Sequence, residues 1–254
     1  MVADALIYHP TVTHYLKFVA LTAGRDKVLR TLQYFSRFYA WYLYRTNNPA
    51  ATIAPFESMK KNFGMARKVL RFGKFVEHFK AAAVAMDAKG MDPVLRYAAI
   101  GRQLGYAGYL SLDNVAALDV VGIKKFQNVK QISRQATKFW MTGLLFNAFA
   151  GFYKLYQLNQ QSQMVNKKEG EGAVEGKRME KYDISVEKTC HGQVAKDQSS
   201  REWNATSLQL FSDLCDLVMP TTSLGFWDLD DGIVGLAGTT SSLLGVYSVW
   251  KKTA

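Results

Sequence analysis

A chain of 254 residues with 48% hydrophobic and 21% charged residues is too apolar to be intrinsically disordered. Its mean hydropathy of -0.11 also excludes a polytopic transporter, so only a minority of the chain can cross a bilayer. The formal net charge of +11, concentrated in residues 1–166, predicts an anionic partner, either nucleic acid or lipid headgroups.

The N-terminal region, residues 1–135, predicts a series of helices. Strand-like alternation is scarce along the whole chain, and the five prolines fall where helices should begin or end. A first helical stretch covers residues 11–45 and a second covers about 57–89, and Asp92-Pro93 then opens a third with a capping residue and a proline. The predicted fold class is all-α: a membrane-associated helical bundle with amphipathic interfacial helices and one or two transmembrane helices.

The helix predicted over residues 57–89 is amphipathic. At 100° per residue its apolar and basic residues fall on opposite faces. The apolar face is formed by Met65, Val69, Phe72, Phe75, Val76, Phe79, Ala83 and Met86. The basic face is formed by Lys60, Arg67, Arg71, Lys74 and His78. This pattern predicts a helix lying on a membrane surface, with its cations on anionic headgroups and its apolar face at the acyl boundary.

Four other roles for this helix stay open from the residues alone. The apolar face can pack in a protein core, which is the usual role of an amphipathic helix. Its spacing also suits a coiled-coil seam, although successive phenylalanines fit that geometry poorly. A basic amphipathic helix can bind a calmodulin-like protein. Nucleic acid is the fourth partner, but no zinc knuckle, RNA-binding signature or helix-turn-helix pattern accompanies the basic face.

Two apolar segments in the C-terminal half are candidate membrane spans. The first, within residues 136–158, has an uncharged run over 139–153, and the second, within residues 204–254, has one over 232–250. A straight span needs about 20 apolar residues, so the second is the stronger, and either could instead be a buried core helix. The residues between them, 159–203, predict a charged flexible linker. Basic residues before the first span and after the second place both termini in the cytosol by the positive-inside rule.

The second span carries a row of small residues. Gly235, Gly238, Ser242 and Gly245 recur at intervals of three, four and three residues, so they share one helix face. Small faces allow helix backbones to approach closely in lipid. The pattern predicts helix–helix association, either within the chain or between copies, and these four are the predicted oligomerisation residues of a homo-oligomer.

Catalytic and metal-binding constellations are missing from the sequence. The four histidines are scattered, and there is no H-E-x-x-H pair, P-loop, dinucleotide fingerprint or nucleophile elbow. We therefore predict that the protein is not an enzyme and that it uses no metal and no cofactor.

Three blocks of sequence carry a family resemblance. They are His9-Pro10 with the run from Gly24 to Arg30, then Tyr109-Leu110-Ser111-Leu112-Asp113, then Ser242-Leu243-Leu244-Gly245 with Trp250-Lys251. These blocks resemble the peroxin-eleven family of peroxisome-proliferation membrane proteins, in its fungal form, over nearly the full length of the chain.

The resemblance implies a peroxisomal membrane protein that binds anionic phospholipid through an amphipathic helix, self-associates and elongates the organelle before fission. The lipid-binding helix of the family corresponds to residues 60–86 here. Contact with a tail-anchored fission adaptor and a dynamin-related GTPase is also implied. The family has been proposed to form pores for small metabolites, which gives the alternative function. Neither predicted span carries an ionisable residue, as an aqueous path usually does, so we favour membrane remodelling over a pore.

Overall fold

The computed structural model describes residues 9–176 and 185–253, with side chains at 9–164 and 198–253. Within these residues the chain forms eight helices and no strand, which confirms the all-α fold class. The helices are α1 (Pro10–Ala20), α2 (Thr22–Arg45), α3 (Ala50–Leu70), α4 (Phe75–Asp87), α5 (Pro93–Val121), α6 (Val129–Gly176), α7 (Ser185–Leu224) and α8 (Asp231–Thr253).

Local sequence sets the ends of α5. The Asp92 carboxylate accepts hydrogen bonds from the backbone N–H groups of Val94 and Leu95, and Pro93 occupies the first turn, where no backbone donor is needed. At the other end Gly122 has a φ of +87°, the left-handed conformation that commonly follows a helix. The predicted opening of a helix at Asp92-Pro93 is therefore confirmed.

The helices pack in a closed circuit. α2 packs against α3 and α8, α8 against α7, α7 against α6, and α6 against α5, which also contacts α3 and α4. Following these contacts from α2 returns to α2, so the helices surround an interior space. This space contains most of the charged side chains described below.

α8 is fixed to the N-terminal helices at both of its ends. At its start, Arg37 donates to Asp231 at 2.6 Å, and Arg45 donates to the adjacent Asp230 at 2.8 Å. Near its end, Nε2 of His14 lies 2.9 Å from the carbonyl oxygen of Trp250. The last helix of the chain is thereby part of the same bundle as the first two.

By length and apolar composition, α8 is the one helix in the described part of the chain that could cross a membrane. It contains the predicted span at 232–250. The other predicted span, at 139–153, lies inside α6 but falls short of the same length and composition.

The segment predicted as a linker is largely helical where the structure describes it. α6 continues through Gly176 and α7 begins at Ser185, so the predicted charged linker is helical over residues 159–176 and 185–203, and its flexibility stays a prediction. Lys, Glu and Gln lose little side-chain freedom in a helix, so a polar segment without apolar periodicity can still be helical. Residues 177–184, the middle of the predicted linker, lie outside the described residues.

Candidate functional site

The amphipathic segment consists of two helices instead of the single helix predicted over residues 57–89. α3 already begins at Ala50 and ends at Leu70, a turn covers residues 71–74, and α4 begins at Phe75. Gly73 has a φ of +76°, which glycine adopts without strain and which interrupts a regular helix. The prediction of one continuous helix is therefore wrong, because Gly73 serves as a turn residue between two helices.

The apolar face of this segment lies on the outside of the bundle. The exposed fractions are 55% for Val69, 63% for Phe72, 58% for Val76, 49% for Phe79 and 58% for Met86. Among the other predicted members Ala83 is exposed, and Met65 and Phe75 are half-buried. This exposure excludes the alternative in which the face packs in the core of the described chain. Met65 also lines the interior space beside Arg67 and Arg71, so it does not belong to the outside surface. We call the other seven residues the outer apolar face.

The basic face of α3 points into the bundle. Arg67 is buried, its Nε donates to Oδ1 of Asp26 at 3.0 Å, and its Nη1 donates to Oε1 of Gln33 at 2.7 Å. Both partners belong to α2. A side chain predicted to lie on lipid headgroups therefore joins two helices inside the protein.

The basic residues at the turn and in α4 point the same way. Arg71 donates to the Tyr109 hydroxyl at 3.0 Å and to Oδ2 of Asp113 at 3.2 Å, both on α5. Nδ1 of His78 lies 2.8 Å from Oε1 of Gln103. Burial raises the pKa of the Tyr109 hydroxyl, so it stays protonated beside the guanidinium. The segment is thus amphipathic with its charges turned inward.

Two predicted members of the basic face lie nearer the surface. Lys60 pairs with Glu57 one turn away at 2.8 Å, and its side chain is 29% exposed. Lys74, in the turn, lines the same interior space as Arg67 and Arg71. All five basic residues of the predicted face therefore surround one space inside the bundle.

A buried ion pair joins α2 to α7. Nη2 of Arg30 lies 2.5 Å from Oδ1 of Asp216, and Nη1 lies 3.3 Å from Oδ2, in a two-pronged arrangement. The Ser241 hydroxyl of α8 donates to the same carboxylate. Beside this pair, burial and then repulsion from Arg30 lower the pKa of the Lys27 ammonium to about 8. Lys27 therefore carries a charge that the fold does not favour.

These side chains line a cavity of about 700 Å³. Its walls come from α2 to α7, and nine Lys and Arg side chains face it against three Asp side chains. A second cavity of about 910 Å³ adjoins it and shares Lys27, Arg102, Tyr106 and Asp216. The interior of the bundle is therefore polar and strongly cationic, whereas much of the outside is apolar.

The row of small residues on α8 packs against α2 within the chain. A Cβ at Gly235 would lie 2.7 Å from the backbone nitrogen of Phe38, and one at Gly245 would lie 2.8 Å from Cδ of Lys27. Gly238 and Ser242 are buried in the same contact. This is the first of the two alternatives for the row, association within the chain. The surface that these four residues would offer to a second copy is occupied by α2.

α6 and α8 also carry exposed apolar side chains. Phe149 and Phe152 of α6 are 55% and 56% exposed, whereas Leu144 on the other side of the helix is fully buried. On α8, Leu236 and Leu243 are 50% and 53% exposed, opposite the small residues that pack on α2. The predicted spans therefore each present one apolar face to the surroundings of the bundle.

The sequence comparisons agree on one family. The family model described as Peroxisomal biogenesis factor 11 (PEX11) matches residues 12–250, nearly the whole chain. The chain belongs to the PEX11 family. Peroxisomal membrane protein PMP27 of Saccharomyces cerevisiae is 32% identical and is aligned over 100% of both chains. Peroxisomal membrane protein PMP30B of Candida boidinii is 28% identical over 100% of this chain and 99% of its own.

A more distant relative has the family name itself. Peroxisomal biogenesis factor 11 of Schizosaccharomyces pombe is 23% identical over 95% of this chain and 96% of its own. No solved structure matches the chain. Membership of the PEX11 family supports a peroxisomal membrane protein of peroxisome proliferation. This confirms the resemblance stated from the sequence blocks.

In this PEX11 family member, the carboxylates that hold the inner face together were not predicted from sequence. Asp26, Asp113 and Asp216 each pair with a buried arginine. Asp216 stands in an otherwise apolar run of α7, Leu214–Met219, and Asp113 is the one charged residue in Leu110–Ala117 of α5. A lone acid in such a run is the available signal, because a buried charge needs a partner of opposite sign.

Proposed function

We propose that this protein elongates the peroxisomal membrane by seating the outer apolar face of α3 and α4 in one lipid leaflet. The proposal rests on one observation: the apolar side of α3 and α4 is exposed, whereas their basic side faces the interior of the bundle. A soluble protein rarely exposes a contiguous patch of large apolar side chains. A lipid surface is the partner that fits such a patch when charged groups are turned away from it.

The dimensions of the segment favour insertion in one leaflet over crossing the bilayer. α4 has 13 residues, so it is about 20 Å long at 1.5 Å per residue. A hydrocarbon core is about 30 Å thick. A helix lying at the acyl boundary expands one leaflet relative to the other, and the bilayer relieves this mismatch by bending. Many copies side by side would favour a tubule.

We propose that the cations that bind anionic phospholipid are not those of the predicted basic face. Lys61 and Lys80 remain exposed on α3 and α4. Each cation near an anionic surface contributes about 1 kcal/mol. Covering the half-exposed apolar side chains with lipid adds on the order of 1 kcal/mol each. Apolar burial would therefore supply most of the binding energy.

The test uses the full-length protein in liposomes, with and without anionic lipid. We expect electron microscopy to show tubules with the wild-type protein, and the double variant Phe72→Glu/Phe79→Glu to leave the vesicles round. Two carboxylates in the acyl region would have to be desolvated, which prevents the face from inserting. The variant Phe72→Leu/Phe79→Leu keeps an apolar face and should still form tubules.

A second control matches the added charge. Gln161 and Gln163 are exposed on α6, and Gln161→Glu/Gln163→Glu adds two negative charges away from the outer apolar face. This variant should form tubules like the wild type. If it loses tubulation to the same extent as Phe72→Glu/Phe79→Glu, net charge explains the loss and the assignment to this face is wrong.

Self-association and the contacts with a fission adaptor and a dynamin-related GTPase are proposed from the family resemblance. Copies would have to associate through surfaces other than the small-residue face, which α2 covers. Both termini are proposed to face the cytosol, which requires a second crossing near residues 139–153. Labelling of single cysteines at Thr11 and Thr253 in intact peroxisomes tests this: reaction of only one of them would overturn the two-span topology.

A pore for small metabolites is the second candidate, and the polar interior favours it. The two adjoining cavities, of about 700 and 910 Å³, meet at four shared residues. Asp216, one of the four, is paired with Arg30. Such an interior would select anions. The test is the conductance of the full-length protein in a planar bilayer. Anion-selective conductance that is lost in the variant Arg102→Glu, whose Phe72 and Phe79 are unchanged, would favour the pore over remodelling.

A further inference from the structure

The cavity has more positive charge than its own carboxylates neutralise. Three ion pairs account for its three carboxylates: Arg30 with Asp216, Arg67 with Asp26, and Arg71 with Asp113, where Lys68 also reaches at 3.3 Å. Nine Lys and Arg side chains face the cavity in total. A closed space of low dielectric disfavours such an excess unless an anion shares it.

Four of these cations have no ion-pair partner among the described residues: Lys61, which is exposed, and three that are less exposed. The side chains of Lys27, Lys74 and Arg102 form no ion pair there. Nε of Arg102 is buried with no hydrogen-bond partner. A buried donor normally finds an acceptor, so this guanidinium nitrogen at the cavity wall is available to an oxygen atom of an anion. Burial, followed by repulsion from Arg30, lowers the pKa of Lys27 to about 8, although Asp216 and Asp26 act in the opposite direction.

The cations are graded from the opening of the cavity to its floor. The side chains of Lys60 and Lys68 are 29% and 31% exposed, whereas those of Arg67 and Arg30 are only 9% and 8% exposed. Lys60 and Lys68 thus stand near the opening, whereas Arg67, Arg30 and the half-buried Lys27 stand deeper. Lysines draw an anion from solvent as point charges, and arginines hold phosphate oxygens with paired N–H groups.

We propose that this cavity, between α2, α3 and α5, binds an anion with two or more phosphate groups, held by Lys27, Lys74 and Arg102. The volume of about 700 Å³ lies within the range of pockets that enclose a small molecule. The combined charge of Lys27, Lys74 and Arg102 matches two phosphate groups better than a single carboxylate. The ligand is either a phosphorylated lipid headgroup or a soluble polyphosphate. This binding is independent of the outer apolar face and of its proposed insertion.

The experiment measures binding by the full-length protein in two settings. In uncharged detergent, calorimetry follows titration with inorganic tripolyphosphate. In nanodiscs of neutral lipid, the same protein is titrated with short-chain phosphatidylinositol 4-phosphate. We expect saturable binding in at least one setting. Binding in detergent identifies a soluble polyphosphate as a sufficient ligand, and binding only in nanodiscs identifies the lipid headgroup.

The variants separate the cavity from general surface charge. Lys27→Gln/Arg102→Gln removes two cavity cations, and Lys89→Gln/Lys125→Gln removes two exposed cations outside both proposed sites, so the two variants change the net charge equally. We expect the cavity variant to bind at least about 10-fold more weakly and the surface variant to stay within about 2-fold of the wild type. Lys74→Gln, at the turn, provides a second cavity variant if the first does not fold.

Two results would overturn the proposal. One is the absence of saturable binding in both settings. The other is equal weakening of binding by the cavity and surface variants, which would show that the anion is held by the net charge of the protein. Tubulation of liposomes by Lys27→Gln/Arg102→Gln should be unchanged, because the outer apolar face is intact. A failure of anion binding and a failure of membrane bending are therefore distinguishable.

Discussion

The segment α3–α4 and the helix α8 both expose an apolar face, but the residue types on their buried faces differ. α3–α4 turns arginines inward, where each meets a carboxylate or an amide. α8 turns glycines inward, where they meet the backbone and ring atoms of α2. One inner contact is thus held by charge, and the other by close approach of two backbones.

This comparison shows that an amphipathic pattern does not determine which face is buried. In water the apolar face of α3–α4 would pack inward and its cations would be solvated. In lipid the apolar face can stay outside, because hydrocarbon surrounds it in either place. The basic face of α3–α4 must then pair with polar groups inside the protein. The small-residue face of α8 needs no such partners and is held by its close packing against α2.

The largest effect should come from breaking the charged inner contact. Asp216→Asn leaves Arg30 buried without a counter-ion, which should lower the free energy of unfolding by about 3–5 kcal/mol. Thermal unfolding in detergent, followed by tryptophan fluorescence, measures this loss. The double variant Arg30→Met/Asp216→Leu should recover much of it, since no charge is left unpaired. Unchanged stability of Asp216→Asn would mean that Arg30 does not depend on this carboxylate.

A smaller loss should come from widening the contact between α2 and α8. Gly235→Ala places a Cβ 2.7 Å from the backbone nitrogen of Phe38, so the helices must separate, with a loss of about 1–3 kcal/mol. Gly245→Ala is the matched control, because its Cβ meets the flexible side chain of Lys27, which can move aside. The same unfolding assay compares the two. Equal losses would show that backbone proximity is not what makes Gly235 necessary.

The sequence predicted the helices and the content of the faces, but not their orientation. The cap at Asp92-Pro93 and the span at 232–250 follow from local patterns, and the structure contains both helices. The predicted apolar and basic residues of the amphipathic segment lie on different sides in the structure, except that Met65 lines the interior space with the basic residues. Which side faces inward depends on Asp26 and Asp113, which lie more than thirty residues from their arginines. Pairing over that distance is decided by the tertiary fold.

The break at Gly73 was missed for a local reason. A single glycine inside a helical pattern is tolerated in many helices, so its presence does not predict a turn. In this chain the turn at 71–74 allows Arg71 to reach Tyr109 and Asp113 on α5. The turn looks like a local feature, but the contact of Arg71 with α5 explains it, and that contact cannot be read from the sequence.

Replacing Lys27 should stabilise the protein, in contrast to the two substitutions above, because the charge of Lys27 is unfavourable in the folded chain. Its pKa is lowered from 10.5 to about 8, so between these values the unfolded chain binds more protons and stability rises with pH. Lys27→Met should therefore raise the unfolding temperature by a few degrees at pH 7. The gain should shrink as the pH rises from 8 to 10.5, where wild-type Lys27 becomes neutral in both states. A gain that is constant across this range would assign it to packing.

The smallest effect is expected at the exposed ion pair where α8 begins. The side chains of Arg45 and Asp230 are 57% and 53% exposed, so a double-mutant cycle with Arg45→Gln and Asp230→Asn should give a coupling below about 1 kcal/mol in detergent. Added salt should reduce it further, because water screens exposed charges. The same cycle in nanodiscs locates the bilayer boundary. A larger coupling that resists salt would mean that lipid covers this end of α8, whereas an unchanged coupling would place it in water beyond the headgroups.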